Sequence, residues 1–539
     1  MTNRINQWAI GALAIAALVQ IVGIGILPFH GYDSPFHIFW IGAWHKLWDA
    51  GIFYPRWLPA SYRGFGAPSF YFYAPLTFIW SSAIYWLMPG ADAATVAKVL
   101  IAVTLAASGA TMWLYLRQRP TFSRSAAVCG ALLFTFAPYR YYDYSVRSAL
   151  SEHVAFVFVP LAFWGMEWAT STDRSTRNRG LLLLTLSIAL LFVTNLASAV
   201  AVLFGLGIVA IVKESNSRRR NVSVLVISTV AAGLLACFYL LPTVILAHEV
   251  QLDRLWQAPS VLLSSPLLPI FIGRDVTASA YNYLAFFAEC ALILSVVQVR
   301  QRFPERSDSR ILLWTMVFIL VMDLPYVSRY LFNFVPPFTI VQRPERLSIL
   351  LLVLIAITWK DSLTQSWTSR TISFIVIGWS IGVILLICVQ FSGFRLGTQK
   401  SLPVDDGPGF APRWSRPYYD FGAALSAPFA SDSQYVIWRG VQSEAILRDV
   451  RQPYSDSITY NSPVPGSLLL RRSYWSTWKA SLDGTPTTTE PDSLGRLIIR
   501  APQGQHHVVV SLATENSARI GAWISVGTVI ILCAIWILA

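Results

Sequence analysis

Charge is scarce in this 539-residue chain: Asp, Glu, Lys and Arg together make up 13% of it. Soluble globular proteins carry about 25%, so an ordinary cytoplasmic enzyme is excluded. Cysteine is scarce too, with five in the chain. Cys129, Cys237, Cys290, Cys388 and Cys533 lie in or beside apolar stretches. They form no metal-ligand spacing and no disulfide framework. No Walker loop, dinucleotide fingerprint or Gly-x-Ser-x-Gly elbow occurs. A cytoplasmic nucleotide-sugar site and ATP-driven transport are therefore unsupported. Internal repeats and low-complexity tracts are also missing, and the composition is neither disordered nor collagen-like.

Apolar residues are abundant instead, at 55%. They gather in runs near the length that crosses a bilayer, roughly 20 residues. The runs are Trp8 to Leu27, Phe70 to Met88, Ala93 to Leu116, Ala126 to Ala137, Ala149 to Trp168 and Gly180 to Val212. Next come Val222 to Leu241, Tyr281 to Val299, Ile311 to Met322, Ser348 to Ile357, Thr371 to Val389 and Ile520 to Leu538. Thr194-Asn195 interrupts the longest, which reads as two helices. The pattern predicts a polytopic α-helical membrane protein with about 11–13 transmembrane helices. The first run reads as a retained helix with a cytoplasmic N-terminus, not a signal peptide.

The formal charge is +13, from 41 Lys and Arg against 28 Asp and Glu. These basic residues sit mostly in short loops, the cytoplasmic-side bias of membrane proteins, and not in a nucleic-acid patch. The loop from Arg117 to Arg124 conflicts with this rule, because an inside N-terminus and three crossings place it outside. From 392 to 519 the chain turns polar, with short alternating stretches at Ser467 to Arg471, Leu497 to Ile499 and His507 to Leu512. Asp483-Gly484 between them suits a hairpin turn. This segment reads as a small β-rich extracytoplasmic domain, partly closed by Trp475 and Trp478 and tethered by a last helix, 520–539. The helical domain is 1–391, with a first external loop at 28–69.

Ionisable residues near membrane depth are costly and mark candidate sites. Asp33 and His37 stand four apart around Pro35. Asp33 either caps a helix or acts as a base toward a hydroxyl. Ile38 to Asp49 reads as an amphipathic stretch lying in the interface. Arg56 and Arg63 sit among tyrosines and tryptophans that suit an aromatic belt or a ligand wall. Either arginine suits a phosphate clamp or a lipid headgroup contact. Arg140, Arg147, Glu152 and His153 form a second cluster, and Gln342, Arg343, Glu345 and Arg346 a third. Each reads equally as an ordinary salt bridge or as phosphate contacts with an orienting carboxylate.

The order of these features resembles the GT-C superfamily of integral membrane glycosyltransferases. The nearer likeness is to the bacterial membrane proteins known as 6-pyruvoyl-tetrahydropterin synthase-related, with a YfhO-like C-terminal part. It rests on Asp33-Ser34-Pro35-Phe36-His37, Tyr54-Pro55-Arg56-Trp57, Gly64-Phe65-Gly66 and Phe72-Tyr73-Ala74-Pro75-Leu76. It continues through Pro138-Tyr139-Arg140, Val146-Arg147-Ser148-Ala149 with Glu152, and Phe238-Tyr239-Leu240-Leu241-Pro242. Gln342-Arg343-Pro344-Glu345-Arg346 resembles a family stretch Gln-Phe-Pro-Trp-Arg, and Tyr474-Trp475-Ser476-Thr477-Trp478-Lys479-Ala480 resembles the YfhO-like β-domain signature. The chain departs from the family where Thr-His becomes Thr194-Asn195 and where Glu345 replaces tryptophan. Asp33 also stands almost alone in its loop, which resembles the metal-independent branch.

The resemblance implies sugar transfer from a polyprenyl-phosphate donor to a glycan, lipid or protein acceptor of the cell envelope. It places this on the extracytoplasmic side of a bacterial inner membrane, without metal or cofactor. Asp33 and His37 would be catalytic. Arg56, Arg140, Arg147 and Arg346 would hold phosphate, supported by Arg63, Glu152, His153, Gln342, Arg343 and Glu345. Two other classes remain open: a transporter or flippase of lipid-linked glycan, and a non-catalytic envelope assembly subunit.

Overall fold

A computed structural model describes residues 15, 17–26, 29, 33–120, 122–212, 217–250, 434–439 and 446–538, with shorter stretches between 311 and 353, chiefly 325–341 and 344–347. Its helical part begins with α1 (Ala17–Ile26) and α2 (Ser34–Asp49). Then follow α3 (Leu76–Leu87), α4 (Ala93–Gln118), α5 (Arg124–Thr135), α6 (Leu150–Ala155) and α7 (Val159–Ala169). α8 (Arg174–Thr194), α9 (Leu196–Val212), α10 (Arg218–Leu235), α11 (Cys237–Leu246), α12 (Pro325–Phe334) and α13 (Asn516–Leu538) complete it. Side-chain caps set several starts. Asp92 accepts from the Thr95 N–H at 2.7 Å, Ser123 from the Ala126 N–H at 3.2 Å, and Asp173 from the Thr176 N–H at 2.8 Å. Each satisfies a donor that the first helical turn leaves open.

Among the described residues, α4, α8 and α13 are long and apolar enough to cross a membrane, and α10 with α11 makes a fourth candidate. The chain is thus a helical membrane protein with a small β-sheet domain near its C-terminus. The expected spans Tyr281 to Val299 and Thr371 to Val389 lie outside the described residues, as does most of Ser348 to Ile357.

Three expected runs are broken, for identifiable reasons. Phe70 to Met88 is not one helix: Tyr73 is extended and α3 starts after Pro75. Ala149 to Trp168 divides into α6 and α7, with Pro160 at the start of the second. Val222 to Leu241 bends by 82° between α10 and α11. Ser525 of α13 covers that bend, accepting from the Phe238 N–H at 3.0 Å and donating to the Leu234 carbonyl at 3.2 Å. Gly521 makes the approach possible, since a Cβ there would stand 2.4 Å from the Cys237 carbonyl oxygen. The long run from Gly180 breaks where the sequence suggests, at Asn195, whose side chain caps α9 through the Ser198 N–H at 2.8 Å.

Nine strands build the C-terminal domain: β1 (Val436–Arg439), β2 (Ile446–Gln452), β3 (Ser455–Ser462), β4 (Gly466–Ser473), β5 (Trp478–Leu482), β6 (Thr485–Thr487), β7 (Thr489–Pro491), β8 (Arg496–Ala501) and β9 (Gly504–Leu512). They form a four-stranded sheet, β1-β4-β8-β7, and a five-stranded sheet, β2-β3-β9-β5-β6, with antiparallel pairing throughout. Asp483 and Gly484 make the two-residue turn between β5 and β6, with φ of 49° and 82°. That is the pair of positive angles a tight hairpin demands. Buried Trp475 and Trp478 belong to the same apolar cluster as Trp40, Trp44 and Phe70 of the helical part.

The segment after α2 docks on this domain through its backbone. The carbonyls of Arg63, Gly64 and Phe65 accept, in turn, from Arg471 Nε at 3.0 Å, Arg451 Nη2, and the Ser473 N–H at 2.7 Å. Tyr62 and Arg63 take left-handed angles to present those carbonyls. Burial, with Arg472 alongside, lowers Arg451 to about 10. Trp57 packs edge-on against Trp478 at 5.6 Å.

Two outcomes follow. At Gly66 φ is +82° and a Cβ would stand 2.5 Å from Trp57 Nε1. Gly66→Ala should cost about 1–3 kcal/mol, visible as a lower melting temperature of the detergent-solubilised protein. Asp483 lies 2.6 Å from His506 Nδ1 and accepts the His507 N–H at 2.8 Å. The hydrogen bond to Asp483 raises His506 above its ordinary range, and His506 holds Asp483 below its own. Stability from the raised histidine is present at low pH and lost as pH rises through its folded value; the aspartate's share is lost as pH falls. Asp483→Asn should lower the His506 pKa toward its ordinary range, read by NMR titration of its ring protons.

Candidate functional site

The polar centre of the helical part grows from one irregular stretch. After Pro138 the chain makes a short helical turn, then a wider π-type turn from Tyr142 to Arg147. Ser148 takes φ 57°, and α6 starts afresh at Leu150. In a continuous helix, side chains five apart do not face each other. This break removes the obstacle and turns Arg147 onto Glu152. Arg147 Nη1 donates to Glu152 Oε2 at 3.0 Å and to Asp143 Oδ1 at 3.3 Å.

Glu152 collects more donors. Arg346, which follows a turn after Val341, donates Nε to the same Glu152 oxygen at 2.9 Å across 194 residues of chain. The Tyr139 hydroxyl donates to the other oxygen, Oε1. Arg346 Nη1 also donates to the Val341 carbonyl at 2.8 Å. The side chains of Glu152 and Arg147 are 1% and 2% exposed, while Arg346 keeps 12%. Arg346 is the more exposed side chain of the two arginines.

Asp33 abuts this network through its backbone. Its N–H donates to the Arg147 carbonyl at 2.8 Å, and its carbonyl accepts from the His37 N–H at 3.1 Å. It stands at the start of α2, but its half-buried carboxylate does not cap that helix. The capping alternative thus has no hydrogen bond behind it. Pro35 occupies the first turn and offers no N–H. The Asp33 carboxylate lies within electrostatic reach of Arg147 and Tyr73, and Tyr73 of Arg346 and Glu152.

Of the other expected site residues, His37 and Arg140 border this network, and Arg56 and Arg63 are engaged elsewhere. His37 is buried with its ring among Trp40, Tyr73 and Phe78, and its Nδ1 has no hydrogen-bond partner among the described residues. Arg140 is fully buried over the Phe156 ring at 4.0 Å and near His153 Nε2 at 3.4 Å. Arg56 is held elsewhere: Nη2 donates to the Phe238 carbonyl at 3.2 Å, and the guanidinium lies 4.1 Å over Tyr54. Arg63 is exposed, and its backbone carbonyl takes part in docking the β domain. Gln342 and Arg343 lie outside the described residues, as does the side chain of Glu345.

The structure therefore brings together Asp33, Arg147, Glu152 and Arg346, and adds Asp143, Tyr139 and Tyr73, which sequence reasoning did not single out. Tyr139 and Asp143 carried a signal: both belong to the polar stretch before Arg147, in apolar surroundings. Tyr73 carried only its place in the aromatic stretch Phe72-Tyr73-Ala74-Pro75-Leu76 that shares in the family resemblance. Groups of three or more His, Cys, Asp or Glu able to hold a metal ion do not occur among the described residues. The arrangement can hold an anion on Arg346 and orient that arginine through Glu152.

Buried pairs are costly to break from one side. Arg147→Ala leaves Glu152 and Asp143 short of their shared cation, and should destabilise the protein by about 3–5 kcal/mol. Arg63→Ala, at an exposed side chain, should stay within about 0.5 kcal/mol. Thermal unfolding of the two purified variants checks the contrast.

Compared with protein families and with curated proteins, the chain matches none. Among solved structures it is similar to the arabinofuranosyltransferase AftD from Mycobacteria, determined by cryo-electron microscopy. The two are 15% identical with a TM-score of 0.40 over 68% of this chain and 27% of that one, so the chain spans about a quarter of that protein's length.

Proposed function

We propose that the protein is a GT-C-like membrane glycosyltransferase. It moves a sugar from a polyprenyl-phosphate donor to an acceptor of the cell envelope on the extracytoplasmic face. The observation that carries this reading is the pair of guanidiniums, Arg147 and Arg346, that share buried Glu152, with Asp33, whose carboxylate makes no capping bond, joined to them through the Arg147 carbonyl. The order of motifs along the sequence supports it as well.

In the reaction, the acceptor oxygen bonds to C1 of the sugar as the bond from C1 to the phosphate oxygen breaks. Asp33 takes the acceptor's hydroxyl proton. The negative charge of Asp33 is thus neutralised as the leaving phosphate gains one, and the total charge of the site is unchanged. Arg346 faces the growing charge on phosphate, with enclosed Arg147 behind it on Glu152, and such an aligned donor lowers the barrier more than it tightens substrate binding. Glu152 positions both arginines. Arg56 acts at a distance, tying the first loop to the bend before α11.

Asp33→Asn keeps the backbone bonds to Arg147 and His37 and removes the base. It should abolish transfer in membranes supplied with a polyprenyl-phosphate sugar, while the protein folds and inserts normally. Retained transfer would remove Asp33 from the mechanism. Arg346→Gln should slow transfer by about 100-fold, the loss of roughly 3 kcal/mol of charge stabilisation, with a smaller change in KM.

A further inference from the structure

We infer that Glu152 is the resting counter-ion of Arg346, and that the donor phosphate takes its place. The inference rests on reading this cluster as a phosphate site. It concerns how the site is held when empty and how it opens.

Glu152 is bound as an anionic ligand would be. One oxygen accepts from two guanidiniums, at 3.0 and 2.9 Å, and the other from a phenol. Phosphate and carboxylate offer a guanidinium the same pair of charged acceptor oxygens. A phosphate arriving at this site therefore competes with Glu152 for the arginine it can reach. That arginine is Arg346, since Arg147 is almost completely enclosed.

The remaining contacts make the exchange cheap. When Arg346 turns to phosphate, Glu152 keeps Arg147 and Tyr139. Asp143 keeps Arg147 at 3.3 Å and has Arg140 within electrostatic reach. Glu152 thus keeps a cation and a phenol, so its buried charge is not stranded, which is the costly outcome for a buried pair. Arg346 in turn keeps the Val341 carbonyl as a neutral anchor. The empty site is thus closed by its own carboxylate, and donor binding both opens it and aligns Arg346.

The test is a titration of the purified full-length protein in detergent with inorganic phosphate, followed by phosphorus NMR. Glu152→Gln preserves shape and removes the competing charge, so phosphate should bind about tenfold more tightly. Arg346→Gln should weaken binding by a similar factor. If Glu152→Gln binds phosphate no better than wild type while Arg346→Gln binds worse, the phosphate site stands and the exchange is overturned. If neither substitution moves the affinity, the phosphate site itself is wrong. Should Glu152→Gln fail to fold, hydrogen exchange on the wild-type protein decides: the turn at 344–347 should exchange faster when phosphate is added, and an unchanged rate overturns the inference.

Discussion

A carboxylate with three donors and almost no exposure organises this protein. Glu152 joins α6 to the turn carrying Arg346, and through Arg147 it reaches the backbone of Asp33. Burying such a group is unfavourable unless a cation and hydrogen-bond donors stay on it. The surrounding elements are therefore constrained to one arrangement. The π-type turn before Ser148 is the local expression of that constraint, because a regular helix would point Arg147 and Glu152 apart.

The same logic extends to the segment from Asp33 to Tyr73. It carries Asp33 at one end and Trp57 and Phe65 in its middle, and backbone carbonyls of its middle are held by arginines and a strand N–H of the β domain. Just past residue 69, the Phe72 and Tyr71 carbonyls accept from Tyr239 and Thr243 of α11, at 2.9 and 2.7 Å. α11 in turn depends on Ser525 and Gly521 of α13 to cover its bend. Glu249, just beyond α11, accepts from Ser476 of the β domain at 3.1 Å. The C-terminal part of the chain is thus a brace for the loop that presents Asp33.

Membrane class and the β-rich tail were legible because apolar runs and alternation are local patterns. The break at Asn195 was legible for the same reason, as was the Asp483-Gly484 turn. Hydropathy alone missed the interruptions at Pro75 and Pro160, since proline changes the backbone without changing the apolar character of a run. The bend between α10 and α11 has no comparable local cause; its polar groups are covered by a helix far along the chain. In the site, Asp33, Arg147, Glu152 and Arg346 stood out as charges in apolar surroundings. Their meeting did not, because it depends on a left-handed serine and a contact 194 residues distant. Arg451 and Arg471 look like ordinary strand residues until the loop carbonyls they hold are seen.

The most direct measurement is lipid mass spectrometry on a deletion strain carrying either wild-type protein or Asp33→Asn. With the variant, one polyprenyl-phosphate sugar should accumulate while the same sugar disappears from the envelope; wild type should reverse both. A normal lipid profile and an intact envelope in cells carrying Asp33→Asn would contradict sugar transfer at this site.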